Sequence, residues 1–120
     1  MKSVLVVDDD PDTLDLCGRA LERAGYVPLL AGSGEEAISL LEHQTPALIV
    51  LDLNMPGMDG WSVAALIRKH TRTAQIPILV ITGLMQNVEL AARRAGATSF
   101  CLKPLDARRL VTEVKRLVPL

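Results

Sequence analysis

The stretch from Ala47 to Gly60, ALIVLDLNMPGMDG, places the tightest constraint on how this chain can fold. It begins with an unbroken apolar run to Leu51, which is typical of a strand buried on both faces of a parallel sheet. Asp52 follows directly, and the turn-forming residues after it require the chain to leave the sheet within a few positions. Because ligands of open α/β sheets collect at the carboxyl ends of strands, Asp52 is a candidate functional residue. A solvated acid in a loop is the alternative, and only partners from other strands can decide between the two.

Four further apolar runs alternate with segments of helical spacing. The runs that predict strands are Val4–Val7, Val27–Ala31, Ile78–Ile81 and Ser99–Leu102. Helices are predicted from Pro11 to the stop at Gly25, from Ser33 or Gly34 to about His43, after Gly60, from about Asn87 to Ala95, and over a final stripe from Leu110 to Val118. Five strands alternating with five helices predict an α/β fold, with a parallel sheet, right-handed crossovers and helices on both faces.

Composition excludes several classes of function. Of 120 residues, 49% are hydrophobic and 22% charged, which indicates one globular domain over residues 1–120. One tryptophan, one tyrosine and one phenylalanine provide no stacking platform, so direct nucleic-acid binding is not expected. The apolar runs are too short to span a membrane and no signal-peptide pattern is present, so we expect a cytoplasmic protein with no membrane contact. Cys17 and Cys101 lack metal or redox spacing and are predicted to be buried.

Polar residues end four of the five predicted strands. They are Asp8 and Asp9, Asp52, Thr82 and Lys103. Because the strands are predicted to be parallel, these residues should converge on one edge of the sheet. Three neighbouring carboxylates repel one another unless a cation is present, and a hard divalent ion such as Mg²⁺ meets that need. A lysine and a hydroxyl opposite the acids could then hold the oxygens of a phosphoryl group.

With these residues in place, the chain resembles the receiver domains of bacterial two-component response regulators. The resemblance rests on VLVVDDD, IVLDLNMPGMDG, VITG and CLKP, in this order and each at a strand end, and it covers essentially all 120 residues. It implies a (βα)5 doubly wound, flavodoxin-like sheet of strand order 2-1-3-4-5. This family itself illustrates the rule that ligands bind where the strand order reverses.

The resemblance implies a role for each residue at this edge. Asp52 would be the phosphoacceptor, taking its phosphoryl group from the phosphohistidine of a histidine kinase or histidine phosphotransfer protein. Mg²⁺ would be bound by Asp9, Asp52 and the backbone carbonyl of Asn54, with Asp8 acting largely through water. Lys103 would pair with a phosphoryl oxygen.

The resemblance also implies how the signal leaves the site. Thr82 would hydrogen-bond the attached phosphoryl group, and the rotamer of Phe100 would follow it, relaying a change to the fourth and fifth helices. The Lys103–Pro104 bond matches one that is cis in the family. The function implied is a phosphorylation-activated switch that catalyses only its own phosphorylation and dephosphorylation, and not a turnover enzyme. Leu84, two residues beyond Thr82, is expected to slow hydrolysis by hindering water.

Two groups of residues are candidates for interaction surfaces. A stripe of Leu16, Cys17, Ala20, Leu21 and Ala24 predicts the buried face of the first helix. Leu14 lies off that stripe near the acidic edge, and the resemblance implies that the partner kinase docks on this face, so we expect Leu14 and Thr13 to help dock it. The resemblance implies that the last two helices carry output or dimer contacts, so the basic residues on them either form such a contact or only add solubility. These residues are Arg93, Arg94, Arg108, Arg109, Lys115 and Arg116.

The remaining interpretations concern single residues and competing functions. Asp10 and Asp59 are predicted to be helix caps, and Trp61 to be partly exposed beside the site. A phosphatase of the haloacid dehalogenase type also uses an aspartyl nucleophile with Mg²⁺, but it would need a carboxylate where Asn54 stands. A phosphorylation-independent interaction module is the third possibility. We expect the chain to be either a stand-alone receiver or the first domain of a longer regulator or hybrid kinase.

Overall fold

The computed structural model describes residues 2–55, 57, 59–83 and 88–120. Within them the chain alternates between strand and helix: β1 (Ser3–Val7), α1 (Pro11–Arg23), β2 (Val27–Ala31), α2 (Gly34–Leu41), β3 (Leu48–Asp52), α3 (Gly60–Lys69), β4 (Ile78–Thr82), α4 (Val88–Arg94), β5 (Ser99–Leu102) and α5 (Ala107–Leu117). All strands pair in parallel in the order β2-β1-β3-β4-β5. The predicted fold class and strand order are confirmed. Of the helices in these residues, none combines the length and apolarity needed to cross a membrane.

The register of the sheet aligns the strand ends. Val7 lies opposite Leu51, Asp52 opposite Ile81, and Thr82 opposite Leu102. The residue that follows β1, the last residues of β3 and β4 and the residue that follows β5 therefore share one edge. This edge includes the point between β1 and β3 where the strand order reverses, which is where open α/β sheets bind their ligands.

The two faces of the sheet bury separate hydrophobic cores. The first core packs one face of the sheet against α2, α3 and α4, and includes Val7, Leu51 and Val80. The second core packs the other face against α1 and α5, and includes Val6, Val50 and Ile81. Since successive strand residues point to opposite faces, β3 and β4 are apolar at every position before their last residue, which explains their unbroken apolar runs.

Side-chain caps fix where the helices begin on the functional edge. Asp10 accepts a hydrogen bond from the backbone N–H of Asp12 at 3.3 Å and one from the Thr13 hydroxyl at 2.8 Å. Asp59 accepts one from the backbone N–H of Ser62 at 2.8 Å. The capping roles predicted for Asp10 and Asp59 are therefore confirmed, and both carboxylates are used in local structure.

The predicted buried stripe of α1 is wrong at one edge. Leu16 is 38% exposed, whereas Leu14 is partly buried and packs on the second core. The buried face is centred on Cys17, Gly18 and Leu21. Gly18 has no side chain, so it cannot be recognised as a buried position from the spacing of apolar side chains. A Cβ atom there would lie 3.3 Å from the side chain of Leu30, so Gly18 is where α1 packs closely against β2.

Candidate functional site

Three carboxylates meet at the edge where β1 and β3 end. One oxygen from each of Asp8, Asp9 and Asp52 lies within 4.8 Å of the others. Asp8 is fully buried and Asp52 is almost so, whereas Asp9 is exposed to solvent. Two buried acids held this close to a third are costly to ionise unless positive charge lies nearby.

Lys103, which follows β5, supplies part of that positive charge. Its Nζ lies 2.7 Å from Oδ2 of Asp8 and donates a hydrogen bond to Oδ2 of Asp52 at 3.2 Å. Burial of the ammonium opposes its charge, but the two carboxylates outweigh this effect and raise the pKa of Lys103. One ammonium therefore faces two buried carboxylates, and the site as a whole keeps an excess of negative charge.

Backbone N–H groups hold the remaining carboxylate oxygens in place. Oδ1 of Asp8 accepts from the N–H of Asp10 at 2.9 Å, and Oδ1 of Asp52 accepts from the N–H of Asn54 at 3.0 Å. Even so, burial, reinforced by the negative charge of Asp8, raises the pKa of Asp52 above its ordinary value. Among the described residues, Oδ2 of Asp8 is approached by the Lys103 ammonium alone, at 2.7 Å. A buried carboxylate oxygen with unused lone pairs suits a cation.

Thr82 and Asn54 are joined across the ends of β4 and β3. The side-chain amide of Asn54 donates to Oγ1 of Thr82 at 3.1 Å. Thr82 is fully buried, and its backbone carbonyl accepts from the N–H of Lys103 at 2.7 Å. The hydroxyl predicted to meet a phosphoryl group therefore lies between the acidic cluster and the end of β5.

Gly60 is a positioning residue that sequence reasoning treated only as part of a turn. A Cβ atom at Gly60 would lie 2.1 Å from the backbone carbonyl oxygen of Asp52 and 2.5 Å from Cα of Leu53. Its N–H donates to the carbonyl of Leu53 at 3.2 Å. The first residue of α3 thus packs directly on the backbone of Asp52. The Asp59-Gly60 pair, a cap followed by a residue without Cβ, is the sequence signal for this close approach.

The residues predicted to relay the signal lie on β5 and beside it. Phe100 is partly buried, packs against the first core and lines a cavity of about 200 Å³ beside α4.

Three further predictions about single residues are confirmed. Cys101, next to Phe100, is fully buried in the second core, as predicted for both cysteines. The Lys103–Pro104 peptide bond is cis, as the resemblance implied. Trp61 is partly buried and follows Gly60, in agreement with its predicted partial exposure.

The surfaces predicted for partners are distributed over more than one face. The hydroxyl of Thr13 is engaged with the capping carboxylate of Asp10. Leu16 lines a groove of about 860 Å³ between α1 and α5, and Arg108 and Lys115 border the same groove. Arg108 and Lys115 therefore lie toward α1, whereas Arg116 donates to the Ser99 hydroxyl at 3.3 Å and Arg93 lines the cavity beside the same serine. Leu84, which is expected to hinder water, lies outside the described residues.

The response regulator receiver domain is the family whose model matches residues 4–115 of this chain. The chain belongs to this family. Receiver domains act in phosphorylation-dependent signalling, and in this chain the acidic cluster, Thr82 and Lys103 lie at the ends of the strands.

Similar proteins include both small chains and longer regulators. The receiver is 37% identical to the 14.6 kDa protein in the sodA1 3′ region of Leptolyngbya boryana, over 94% of this chain and 87% of that protein. It is 36% identical to RpaA of Synechocystis sp., a DNA-binding dual master transcriptional regulator, over 98% of this chain and 49% of RpaA, so it spans about half of that regulator. The chemotaxis protein CheY4 of Vibrio cholerae superposes with a TM-score of 0.92 at 28% identity, covering 98% of this chain and 99% of CheY4.

Proposed function

We propose that residues 1–120 form a receiver domain that works as a phosphorylation-activated switch, with Asp52 as phosphoacceptor. The phosphoryl donor is the phosphohistidine of a histidine kinase or a histidine phosphotransfer protein. One observation carries this proposal: the carboxylates of Asp8, Asp9 and Asp52 converge at a single sheet edge, where the ammonium of Lys103 contacts Asp8 and Asp52. A structural ion pair needs one acid and one base, whereas this excess of buried acid suits a cation and a transferred phosphoryl group.

The acidic cluster has the donor set that Mg²⁺ prefers. Carboxylate oxygens converge within 4.8 Å, and two of the three carboxylates, those of Asp8 and Asp52, are buried. Asp9, Asp52 and the backbone carbonyl of Asn54 would hold the ion directly, and Asp8, already paired with Lys103, would act largely through water. Bound Mg²⁺ would offset the negative charge that the carboxylates and the phosphoryl group bring together.

The chain's own residues position the reacting groups. A carboxylate oxygen of Asp52 attacks the phosphorus, so that a P–O bond forms while the P–N bond to the donor histidine breaks and its electron pair returns to the imidazole. Lys103 is held 2.7 Å from Asp8, so it stays in place to neutralise a phosphoryl oxygen when the charge on Asp52 changes. Since the transition state of phosphoryl transfer is loose, charge stabilisation and alignment supply most of the catalysis.

The output follows from a shift between two arrangements of the same residues. Thr82 turns to hydrogen-bond the phosphoryl group, Phe100 follows it, and the change reaches α4 and α5, where an output partner or a second copy docks. The phosphoryl group biases this equilibrium only as far as its contacts differ between the two arrangements.

The kinase docks on α1. Leu16 replaces Leu14 in this proposal, because Leu16 is the exposed leucine of α1 whereas Leu14 packs on the second core. Thr13, one turn earlier on the helix, borders the same surface. The cytoplasmic location expected from the sequence stays a prediction.

The test is phosphorylation by a small phosphodonor. The purified chain is incubated with acetyl phosphate and Mg²⁺, and intact mass and peptide mapping record the product. We expect one phosphoryl group on the original chain and none on Asp52→Asn. The matched control is Asp59→Asn, which should still be phosphorylated because the Asp59 carboxylate caps α3. Continuous release of phosphate without a labelled chain would indicate a phosphatase, and no labelling at all would indicate a phosphorylation-independent module.

A further inference from the structure

The side-chain amide of Asn54 has no part in the function proposed above. Only the backbone of Asn54 is used there, through its carbonyl and through the N–H that donates to Asp52 at 3.0 Å. Yet the amide reaches across to the end of β4 and donates to Oγ1 of Thr82 at 3.1 Å. The residue predicted to move on phosphorylation is therefore hydrogen-bonded to a side chain at the end of the phosphoacceptor strand.

Thr82 has few ways to move. Its carbonyl is held by the N–H of Lys103 at 2.7 Å, and its side chain is fully buried. Re-aiming its hydroxyl therefore means changing its χ1 rotamer. Because threonine is β-branched, it occupies a few well-separated rotamers, and a single hydrogen bond can select among them.

We propose that Asn54 is a positioning residue whose side-chain amide holds Thr82 in its unphosphorylated rotamer, and whose hydrogen bond to Thr82 breaks when the hydroxyl turns to the phosphoryl group. This inference rests on the proposed function of Thr82. The amide stabilises only the unphosphorylated arrangement, so removing it favours the phosphorylated one. A neutral hydrogen bond of this kind shifts such an equilibrium by roughly twofold to tenfold.

The position allows the amide to be removed without other damage. Asn54 is exposed, so replacing it creates no cavity. Its backbone N–H and carbonyl remain in any variant, so the hydrogen bond to Asp52 and the proposed Mg²⁺ ligand are both retained. Asn54→Leu keeps the shape of the side chain and removes the donor.

Two measurements test the proposal. In the absence of Mg²⁺ and of any phosphoryl mimic, three-bond NMR couplings report the χ1 rotamer of Thr82, which we expect to be single in the original chain and averaged in Asn54→Leu. With saturating Mg²⁺, the affinity for beryllofluoride, a phosphoryl mimic, should rise roughly twofold to tenfold in Asn54→Leu. The gain should vanish in a Thr82→Val background, whereas a general structural effect of the substitution would persist there.

The outcomes distinguish a failure of the positioning role of Asn54 from a failure of the proposed function. Unaveraged couplings in Asn54→Leu would overturn the positioning role of Asn54 whatever the chain does with phosphate. Equal or weaker beryllofluoride binding by Asn54→Leu, with normal binding by the original chain, would also overturn it and leave the switch standing. Failure of the original chain to bind beryllofluoride with Mg²⁺ would overturn both proposals.

Discussion

Gly60→Ala should damage both the stability of the fold and the placement of the phosphoacceptor. The added Cβ would lie 2.1 Å from the carbonyl oxygen of Asp52, 2.5 Å from Cα of Leu53 and 2.8 Å from the carbonyl carbon of Asp52. All three neighbours are backbone atoms, so no side-chain rotation can relieve the contact. Either the start of α3 or the end of β3 must shift by about 1 Å to restore ordinary van der Waals separation.

The magnitude follows from two opposing effects. Overpacking a close contact costs about 1–3 kcal/mol, and a clash with backbone belongs at the upper end of that range. Replacing glycine by alanine returns about 0.4–1 kcal/mol by restricting the unfolded chain. We therefore expect Gly60→Ala to lower the free energy of unfolding by about 2 kcal/mol, which moves the urea midpoint by about 1 M or more.

The matched control is Gly83→Ala. Gly83 lies at the end of β4 on the same edge, but a Cβ atom there would meet nothing within 4 Å. This variant should match or slightly exceed the original stability. Urea unfolding followed by circular dichroism measures both. The proposed packing of α3 on the Asp52 backbone is refuted if the two alanine variants unfold at the same midpoint.

Three further outcomes follow from the site and its surroundings. Asp9→Asn should raise the urea midpoint in EDTA, because it relieves repulsion among the acids. It should also abolish the stabilisation by Mg²⁺, which should reach about 2.7 kcal/mol in the original chain when the Mg²⁺ concentration is 100 times Kd. Stabilisation of the Asp9→Asn variant by Mg²⁺ would contradict this. Leu16→Glu should slow phosphotransfer from a histidine kinase about tenfold, equivalent to ~1.4 kcal/mol of docking energy, and should leave labelling by acetyl phosphate unchanged. Val27→Glu, at an equally exposed residue of β2, should not slow phosphotransfer. Equal phosphotransfer rates for both variants would remove α1 from the docking surface. Burial raises the pKa of the Cys17 thiol to about 12, so a thiol reagent at pH 8 should label it only as fast as the protein unfolds; faster labelling would show that the second core opens locally.

The convergence of the strand ends could be predicted from the sequence because it depends on strand direction alone. Each apolar run ends within a residue of the observed strand, and a parallel sheet brings Asp8, Asp52, Thr82 and Lys103 to one edge whatever the loops do. The strand order itself came from the family resemblance. Alternation of strands and helices is shared by several α/β folds and does not distinguish them.

Contacts that depend on side-chain rotamers or on close backbone approach could not be predicted. The exposed and packed leucines of α1 were exchanged because Gly18 marks the buried face by having no side chain. The bond from Asn54 to Thr82 depends on the path of the chain after β3, which residue types alone do not specify. Equally, nothing in the sequence indicates that Lys103 lies closer to Asp8 than to Asp52.

The separation of the two hydrophobic cores has a consequence for how such domains diversify. The helix proposed to receive the kinase, α1, shares its core with α5, whereas α4 is packed in the other core with α2 and α3. Substitutions far apart and without shared partners act almost additively on stability. A lineage can therefore exchange residues beneath α1 to follow a changing kinase while the packing beneath α4 stays constant. The sheet acts as a partition between two sets of substitutions that natural selection can adjust separately.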